Sequence, residues 1–245
     1  MLSDVSRRLR TPEVVVSFLV AVLVLVAGFV LTAVPQVGVT ELRVDRLLLA
    51  HVPATGHAIA TGIGMVLEPV GGVLIIAVVA AVVWWRADVR RADQFVVTAV
   101  VPWLSVELVK LLVHRPRPVL PGVHAAAESW SYPSGHVALI TAVVLGILTV
   151  TAGRVRVGTL IVGVVAIVLV AVSRLSLGVH YPSDLVASVL WTTAVWVVLR
   201  HLVAAVQQEQ VRRRDRPTRR HGAAPVERSV PAHVTDERTT DARTR

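Results

Sequence analysis

The stretch SYPSGHVALI, residues 131–140, places polar and ionisable groups directly before an apolar run. Pro133 suits the first turn of a helix because its missing N–H costs nothing there. Ser134 can cap such a helix, and Gly135 leaves the backbone open to close approach. The free N–H groups of a helix start form an anion site, and His136 projects beside them. The stretch therefore predicts either a functional helix start or a simple cap with a chance histidine.

The chain as a whole is too apolar for an ordinary soluble domain of its length. Of its 245 residues 54% are hydrophobic, and the mean hydropathy is +0.68. Valine, alanine and leucine form long uncharged blocks, which predicts a polytopic membrane protein. The absence of cysteine excludes disulfides, cysteine-ligated metal sites and cysteine-nucleophile phosphatases. The net charge of +9 comes from arginines at block ends and in the tail, so membrane orientation explains it better than nucleic acid.

Six apolar stretches predict an all-α, six-transmembrane-helix bundle over residues 13–206. The predicted spans are 14–34, 69–85, 94–114, 133–151, 157–173 and 182–199. The first could also be a cleaved signal peptide, but its length favours an uncleaved anchor. The mixed segment 35–68 predicts a loop with one or two interfacial helices. Residues 1–12 are expected to be a short cytoplasmic N-terminus, and 207–245 a disordered, Arg-rich cytoplasmic tail.

Arginine clusters set the expected orientation in the cell membrane. They precede the first span, separate the second from the third and the fourth from the fifth, and follow the sixth. The positive-inside rule then places both termini in the cytoplasm. Four helix ends on the outer side carry the remaining ionisable groups: Lys110, His114, Arg115, Arg117, His136, Arg174, His180 and Asp184. Charges at the membrane edge are costly, so these residues are candidates for function.

The segment KLLVHRPRP, residues 110–118, contains the single lysine of the chain. Lys110, His114 and Arg117 fall on one helical face, and the two prolines end the helix near His114. This arrangement predicts a helix that delivers Lys110 and a stiff loop that delivers Arg117. The simpler alternative is a positively charged cap on a helix C-terminus, with Glu107 as the salt-bridge partner of Lys110.

The segment SRLSLGVHYPSD, residues 173–184, begins with Ser-Arg and ends in a second Tyr-Pro-Ser sequence. Asp184 lies four residues after His180, a spacing at which a carboxylate can fix the tautomer and orientation of an imidazole. The two tyrosines, Tyr132 and Tyr181, precede the two Pro-Ser pairs and are also candidates for interfacial anchors.

These three segments together have the chemistry of a phosphoryl-transfer site. Arginine and lysine can surround a tetrahedral oxyanion from several sides. One histidine oriented by aspartate can be a nucleophile, and a second can be a general acid. Phosphoryl transfer needs positioning and charge neutralisation, and this set supplies both without a metal or other cofactor.

The three segments resemble the signature of the type 2 phosphatidic acid phosphatase superfamily, whose fold is shared with vanadium haloperoxidases and some acid phosphatases. That signature is Lys-x6-Arg-Pro, Pro-Ser-Gly-His and Ser-Arg-x5-His-x3-Asp, and no position departs from it here. The resemblance implies that His180 attacks phosphorus to form phosphohistidine, that Asp184 orients His180, and that His136 protonates the leaving group and then activates water. The phosphate-binding residues that it implies are Lys110, Arg117, Ser134, Gly135 and Arg174. Outside the signature, His114, Arg115 and His124 are left unassigned, and a local polar loop is the simplest interpretation of them.

The resemblance implies an integral membrane lipid phosphatase, and the arginine distribution predicts that its site lies at the extracytoplasmic face. Substrates implied are polyprenyl pyrophosphates, phosphatidic acid, phosphatidylglycerol phosphate and related lipid phosphates, with membrane lipids as the surroundings and no nucleic acid partner. A metal hydrolase, a vanadate-binding haloperoxidase-like enzyme and a non-enzymatic transporter or scaffold are the alternatives. Three cations in the site disfavour a metal hydrolase, and six membrane spans disfavour a haloperoxidase-like enzyme. A transporter or scaffold leaves the three motifs unexplained.

Overall fold

The computed structural model describes residues 11–120 and 129–214, and every regular element in those two ranges is an α-helix, as predicted. Eight helices follow one another: α1 Pro12–Ala33, α2 Pro35–His51, α3 Ala54–Val66, α4 Pro69–Arg86, α5 Val89–Val113, α6 Gly135–Val150, α7 Gly153–Ser176 and α8 Pro182–Arg214.

Five of these helices, α1, α4, α5, α7 and α8, are long and apolar enough to cross a membrane, so the chain is a multi-pass membrane protein. The remaining predicted span, 133–151, corresponds to α6, which has only 16 residues. At 1.5 Å per residue α6 is about 24 Å long, against an apolar layer of about 30 Å. It packs against α5, α7 and α8 and lies at the centre of the bundle. The six predicted spans therefore correspond to five full-length helices around a shorter central one.

Close packing of α5 on α6 forms the middle of the core. Phe95 and Leu139 are fully buried, and Val143 lies beside them. A Cβ built on Gly146 would lie 2.9 Å from the Phe95 ring, closer than real Cβ atoms approach such a ring. The missing side chain at Gly146 is thus what allows the aromatic ring to pack against the α6 backbone.

Several helices extend beyond the apolar stretches that predicted them. The α5 helix begins at Val89 because Asp88 caps it, its carboxylate accepting a hydrogen bond from the Arg91 N–H at 2.9 Å. The α8 helix continues to Arg214, whereas the predicted tail began at residue 207. Hydropathy detects only the apolar part of a helix. Glutamine and arginine favour helix formation, so polar turns rich in these residues can extend the helix beyond its apolar part. The predicted N-terminal segment up to residue 10 and tail residues 215–245 lie outside the described ranges.

The mixed segment forms α2 and α3, which are not among the helices that could span a membrane. Both pack against α7. At the other end of the bundle, Glu13 near the start of α1 accepts hydrogen bonds from Arg200 and His201 of α8. The arginine-rich ends of α1 and α8 therefore lie far from α2 and α3.

Candidate active site

Four helix ends meet beneath α2 and α3, as the sequence predicted. The Ser134 N–H at the start of α6 lies 3.4 Å from the Asp184 carbonyl oxygen at the start of α8. The Val179 N–H donates to the Arg174 carbonyl at 3.3 Å, which folds the end of α7 back toward α8. The Arg117 guanidinium, carried by the loop after α5, donates to the Val179 carbonyl at 2.9 Å. These backbone contacts bring the three motifs together.

Lys110, on the last turn of α5, reaches over the first residue of α6. Its Nζ lies 2.8 Å from Glu107 Oε1, so the ion pair considered from the sequence is present. A Cβ built on Gly135 would lie 3.2 Å from the same Nζ. The side chain of Lys110 is only 13% exposed, whereas Glu107 is 56% exposed. The lysine is thus directed into the site, and Gly135 gives its ammonium group room.

Ser134 occupies the N-cap position of α6, but its hydroxyl does not cap the helix. The residue is fully buried, and its Oγ has no hydrogen-bond partner among the described residues. Buried polar atoms are normally paired, so this hydroxyl is a donor available to a bound group. It lies at a helix start, where N–H groups and the helix dipole favour an anion.

Backbone carbonyls of α3 hold two of the predicted site residues. Arg174 is 5% exposed and donates through Nη2 to the Ala60 carbonyl at 2.5 Å. His136 Nε2 lies 3.2 Å from the carbonyl of Gly64, one turn further along the helix. A Cβ built on Gly64 would come within 2.6 Å of Arg174 Nη1. The sequence alone does not predict this role of α3, and the one signal for it in the sequence is the small residues of ATGIG, 60–64.

The loop between α7 and α8 carries His180, which is 2% exposed. Its Nδ1 lies 3.4 Å from Asp184 Oδ2, a long contact with the fully buried carboxylate. Burial lowers the pKa of His180, the Asp184 carboxylate opposes that effect, and Arg117 and Lys110 add to it. A neutral imidazole with Nδ1–H toward Asp184 leaves the Nε2 lone pair free, which is the form that a nucleophile needs.

Arg117 is fixed from two sides of the site. Its Nε donates to the Ser129 carbonyl at 3.0 Å and its Nη2 to Ser129 Oγ at 2.7 Å, while Nη1 holds the Val179 carbonyl. Burial lowers the pKa of Arg117 and Asp184 raises it, and a guanidinium remains a cation throughout the physiological range. The stiff loop that the prolines predicted therefore delivers a fixed positive charge.

Arg115 is the main residue that sequence reasoning missed. The residue follows α5 in a loop, but it is only 2% exposed, so it is not an ordinary surface loop residue. Its Nη1 donates to Asp184 Oδ1 and to Ser183 Oγ, both at 2.7 Å, and its Nη2 to Glu41 Oε2 at 2.6 Å. The guanidinium lies 4.0 Å above the Tyr181 ring. The hydrogen-bond partners of its guanidinium are 68 residues or more away along the chain, so no local pattern indicated them.

A second buried carboxylate, Asp45 of α2, lies near the same network. It is 0% exposed, and neither of its oxygens has a hydrogen-bond partner among the described residues. Burial and the carboxylates of Asp184 and Glu41 raise the pKa of Asp45 from 3.8 to about 7. Asp45 was not predicted as a site residue, because the sequence shows only an acidic residue in a mixed segment.

The other polar candidates lie apart from the site. His114 ends α5 with a left-handed φ of 52° and lies edge-on to Trp130, with ring centroids 4.8 Å apart. Tyr132 is 1% exposed and donates through its hydroxyl to the Val24 carbonyl inside α1, so it is a core residue and not an interfacial anchor. His124 lies outside the described residues. Within those residues, no group of three or more His, Cys, Asp or Glu is arranged to hold a metal ion.

Comparison with known proteins agrees with the geometry. The family model of the PAP2 superfamily matches residues 92–208. No curated protein matches the chain. Among solved structures, the crystal structure of a transmembrane PAP2-type phosphatidylglycerolphosphate phosphatase from Bacillus subtilis is similar, with a TM-score of 0.63. It is 21% identical, and the match covers 81% of this chain and 98% of that one, which shows a shared fold. All three motifs lie inside the region that matches the PAP2 family model, and the chain shares its fold with a solved PAP2-type phosphatase.

Proposed function

We propose that this protein is an integral membrane phosphatase that hydrolyses a lipid phosphate or a polyprenyl pyrophosphate through a phosphohistidine intermediate. The observation that carries the proposal is a buried histidine backed by a carboxylate and placed among fixed cations. Such a group is a nucleophile set into an anion-binding site. A scaffold or transporter has no need for this combination of groups.

The phosphate is held by charge and by hydrogen-bond donors. Lys110, Arg117 and Arg174 supply three cations, each already positioned by contacts with the surrounding chain. The unpaired Ser134 hydroxyl and the backbone of Gly135 at the start of α6 supply further donors. Phosphoryl transfer depends above all on positioning and on stabilising negative charge, and these groups supply both.

In the first step, His180 Nε2 attacks phosphorus while the bond from phosphorus to the leaving oxygen breaks. His136 in its imidazolium form gives its Nε2 proton to that oxygen, and the bound phosphate favours this charged form. Asp184 accepts the Nδ1–H of His180 and stabilises the positive charge that develops on the ring. The products of the step are phosphohistidine, the dephosphorylated lipid (or the lipid monophosphate, from a pyrophosphate) and neutral His136.

In the second step, water attacks the phosphohistidine. Neutral His136 accepts a proton from the water, the bond from phosphorus to His180 breaks, and inorganic phosphate leaves. The enzyme returns to its starting state with His136 protonated and His180 neutral. No metal ion takes part in this sequence, and the three cations neutralise the charge of the phosphoryl group in both steps.

A lipid substrate fits the place of the site in the fold. The site lies at the ends of membrane helices, where a phosphate head group can enter while its tail stays in the bilayer. The similar Bacillus subtilis protein is named a phosphatidylglycerolphosphate phosphatase, which supports the same substrate class here. The positive-inside rule favours an extracytoplasmic site, because the parts of α5 and α8 remote from the site carry Arg90, Arg91 and Arg200.

The decisive experiment is hydrolysis of a lipid-phosphate panel by protein purified in detergent. Rapid-quench trapping with labelled substrate should give an acid-labile, base-stable phosphoenzyme in the wild type. His180→Ala should lose both turnover and label. Wild-type protein that hydrolyses no member of the panel, or label retained by His180→Ala, would refute the proposal.

The orientation has its own test. A reporter fused after Leu199 should read as cytoplasmic, and one placed in the loop between α5 and α6 should read as exported. The opposite readings would move the site to the cytoplasmic face and exclude substrates that are present only outside.

A further inference from the structure

Asp184, which orients His180 in the proposed function, is itself held by stronger partners than that histidine. Its Oδ1 accepts from Arg115 at 2.7 Å and its Oδ2 from the Tyr181 N–H at 2.9 Å, while His180 Nδ1 lies 3.4 Å away. The shorter contacts set the plane of the carboxylate. The direction that Asp184 Oδ2 presents to His180 is therefore decided mainly by Arg115 and the Tyr181 backbone.

Arg115 is in turn fixed on every side. Its Nη1 also donates to Ser183 Oγ, its Nη2 donates to Glu41, and its plane stacks on Tyr181. A buried guanidinium is tolerated only when it is fully paired, and a planar fork paired in this way has one available orientation. Arg115 thus gives Asp184 a rigid partner.

Glu41 completes the network from α2. One carboxylate oxygen accepts from Arg115 at 2.6 Å, and the other accepts the Ser183 N–H at 2.9 Å, one of the amides left free at the start of α8. Glu41 is therefore linked to Asp184 both through Arg115 and through the first turn of α8. It lies outside residues 92–208, the region matched by the family model.

We propose that Arg115 and Glu41 are positioning residues that fix the Asp184 carboxylate, and through it the His180 imidazole, in the geometry for attack on phosphorus. The inference rests on the proposed function. Because Arg115 occupies Oδ1 and neutralises part of its charge, Asp184 orients the imidazole through Oδ2 alone. The pair touches no reacting atom, so its effect appears in the rate of attack and not in the binding of phosphate.

The first test uses Arg115→Gln and Glu41→Gln, with phosphoenzyme formation followed by rapid quench at saturating substrate. We expect Arg115→Gln to slow formation by about tenfold to a hundredfold and Glu41→Gln by roughly tenfold, the range found for supporting partners of an active group. KM should stay within about threefold, because the phosphate-binding cations are unchanged. Glu13→Gln removes an ion pair at the far end of the bundle and is the matched control. It should leave both constants unchanged.

The second test is a double-mutant cycle with Asp184→Asn. If Arg115 acts through Asp184, Arg115→Gln should cost less than about threefold once Asp184 is already replaced. If Arg115 only links the helices and does not position Asp184, the rate losses of Arg115→Gln and Asp184→Asn should multiply in the double mutant. Arg115→Lys keeps the charge but not the planar fork, and we expect it to recover only part of the rate.

The outcomes separate the two proposals. Wild-type protein without phosphatase activity refutes the proposed function itself. Active wild type together with rates of phosphoenzyme formation within about twofold for both variants overturns only the positioning role. A rise in KM at constant kcat overturns it as well. Where Arg115→Gln does not give a monodisperse protein, Glu41→Gln decides, because glutamine keeps an acceptor for the Ser183 N–H and replaces the charged acceptor that faces Arg115 by an NH2 group.

Discussion

Replacing Asp184 by asparagine probes the centre of the proposed mechanism. The carboxylate faces three donors: the Arg115 guanidinium, the Tyr181 N–H and, when His180 has the reactive tautomer, its Nδ1–H. An asparagine side chain offers one oxygen and one NH2 group to these three donors. The shortest contact is the one to Arg115, so we expect the oxygen to remain there and the NH2 group to face His180 and Tyr181.

An NH2 group beside His180 Nδ1 favours the tautomer that carries its proton on Nε2. That proton occupies the lone pair needed for attack. The same tautomer error in a serine protease triad costs about 10⁴-fold in kcat, and we expect a loss of about 10³- to 10⁴-fold in phosphoenzyme formation here. The Tyr181 N–H loses its acceptor, which costs about 1–3 kcal/mol and should lower Tm by about 2–12 °C.

The assay is rapid-quench phosphoenzyme formation, with Tm measured on the same preparation. Asp88→Asn makes the same chemical change at the exposed N-cap of α5 and serves as the control, since asparagine caps helices as well as aspartate does. A loss below about tenfold for Asp184→Asn, in protein whose Tm has shifted, would show that the carboxylate supports the fold and not the tautomer of His180.

Four further results are expected. His136→Ala should lose about a hundredfold or more on a lipid phosphate but clearly less in the first step with an aryl phosphate, whose leaving group needs no proton; equal losses would contradict the acid role. Gly64→Ala should raise KM about tenfold, because its Cβ would lie 2.6 Å from Arg174 Nη1, while Gly62→Ala meets nothing within 4 Å and should be silent; equal KM values would contradict this. The folded protein binds the Asp45 proton more tightly than the unfolded chain does, so the free energy of unfolding should fall as pH rises from about 4 through about 7. The Tm of Asp45→Asn should therefore be at least about 3 °C above that of the wild type at pH 8 and equal to it at pH 4. Hydrolysis should survive EDTA and be inhibited by vanadate, and activity abolished by EDTA and restored by Mg²⁺ would favour a metal hydrolase.

The sequence predicted the helices and the meeting of the motifs because both depend on local patterns. Long uncharged runs indicate membrane helices whatever their partners are. Pro133 and Gly135 mark a helix start, and the spacing of His180 and Asp184 follows from one turn of chain. The arginine distribution then predicted that the helix ends with the motifs lie on one side of the membrane. The contact of the Ser134 N–H with the Asp184 carbonyl shows that two of these ends meet.

The contacts that the sequence did not reveal are long-range or involve the backbone. Arg115 meets Glu41 across 74 residues, and no spacing rule relates two such positions. The acceptors for Arg174 and His136 are carbonyls of Ala60 and Gly64, groups that every residue carries. Side-chain identity therefore gives no information about them, except where a glycine makes room.

The hydrogen bond from Tyr132 to Val24 has a consequence for how the protein is made. The two residues are 108 positions apart, so at about 5–20 residues per second the ribosome completes Tyr132 roughly 5–20 s after Val24. The Tyr132 ring packs so closely on Gly28 that a Cβ built on this glycine would lie 2.7 Å from Tyr132 Cε1. Until Tyr132 is made, the surface at Gly28 faces lipid or the insertion machinery. Helix α1 thus receives this hydrogen bond only after α2 to α5 have been made. A nascent chain that stalls before Tyr132 leaves that helix without its anchor.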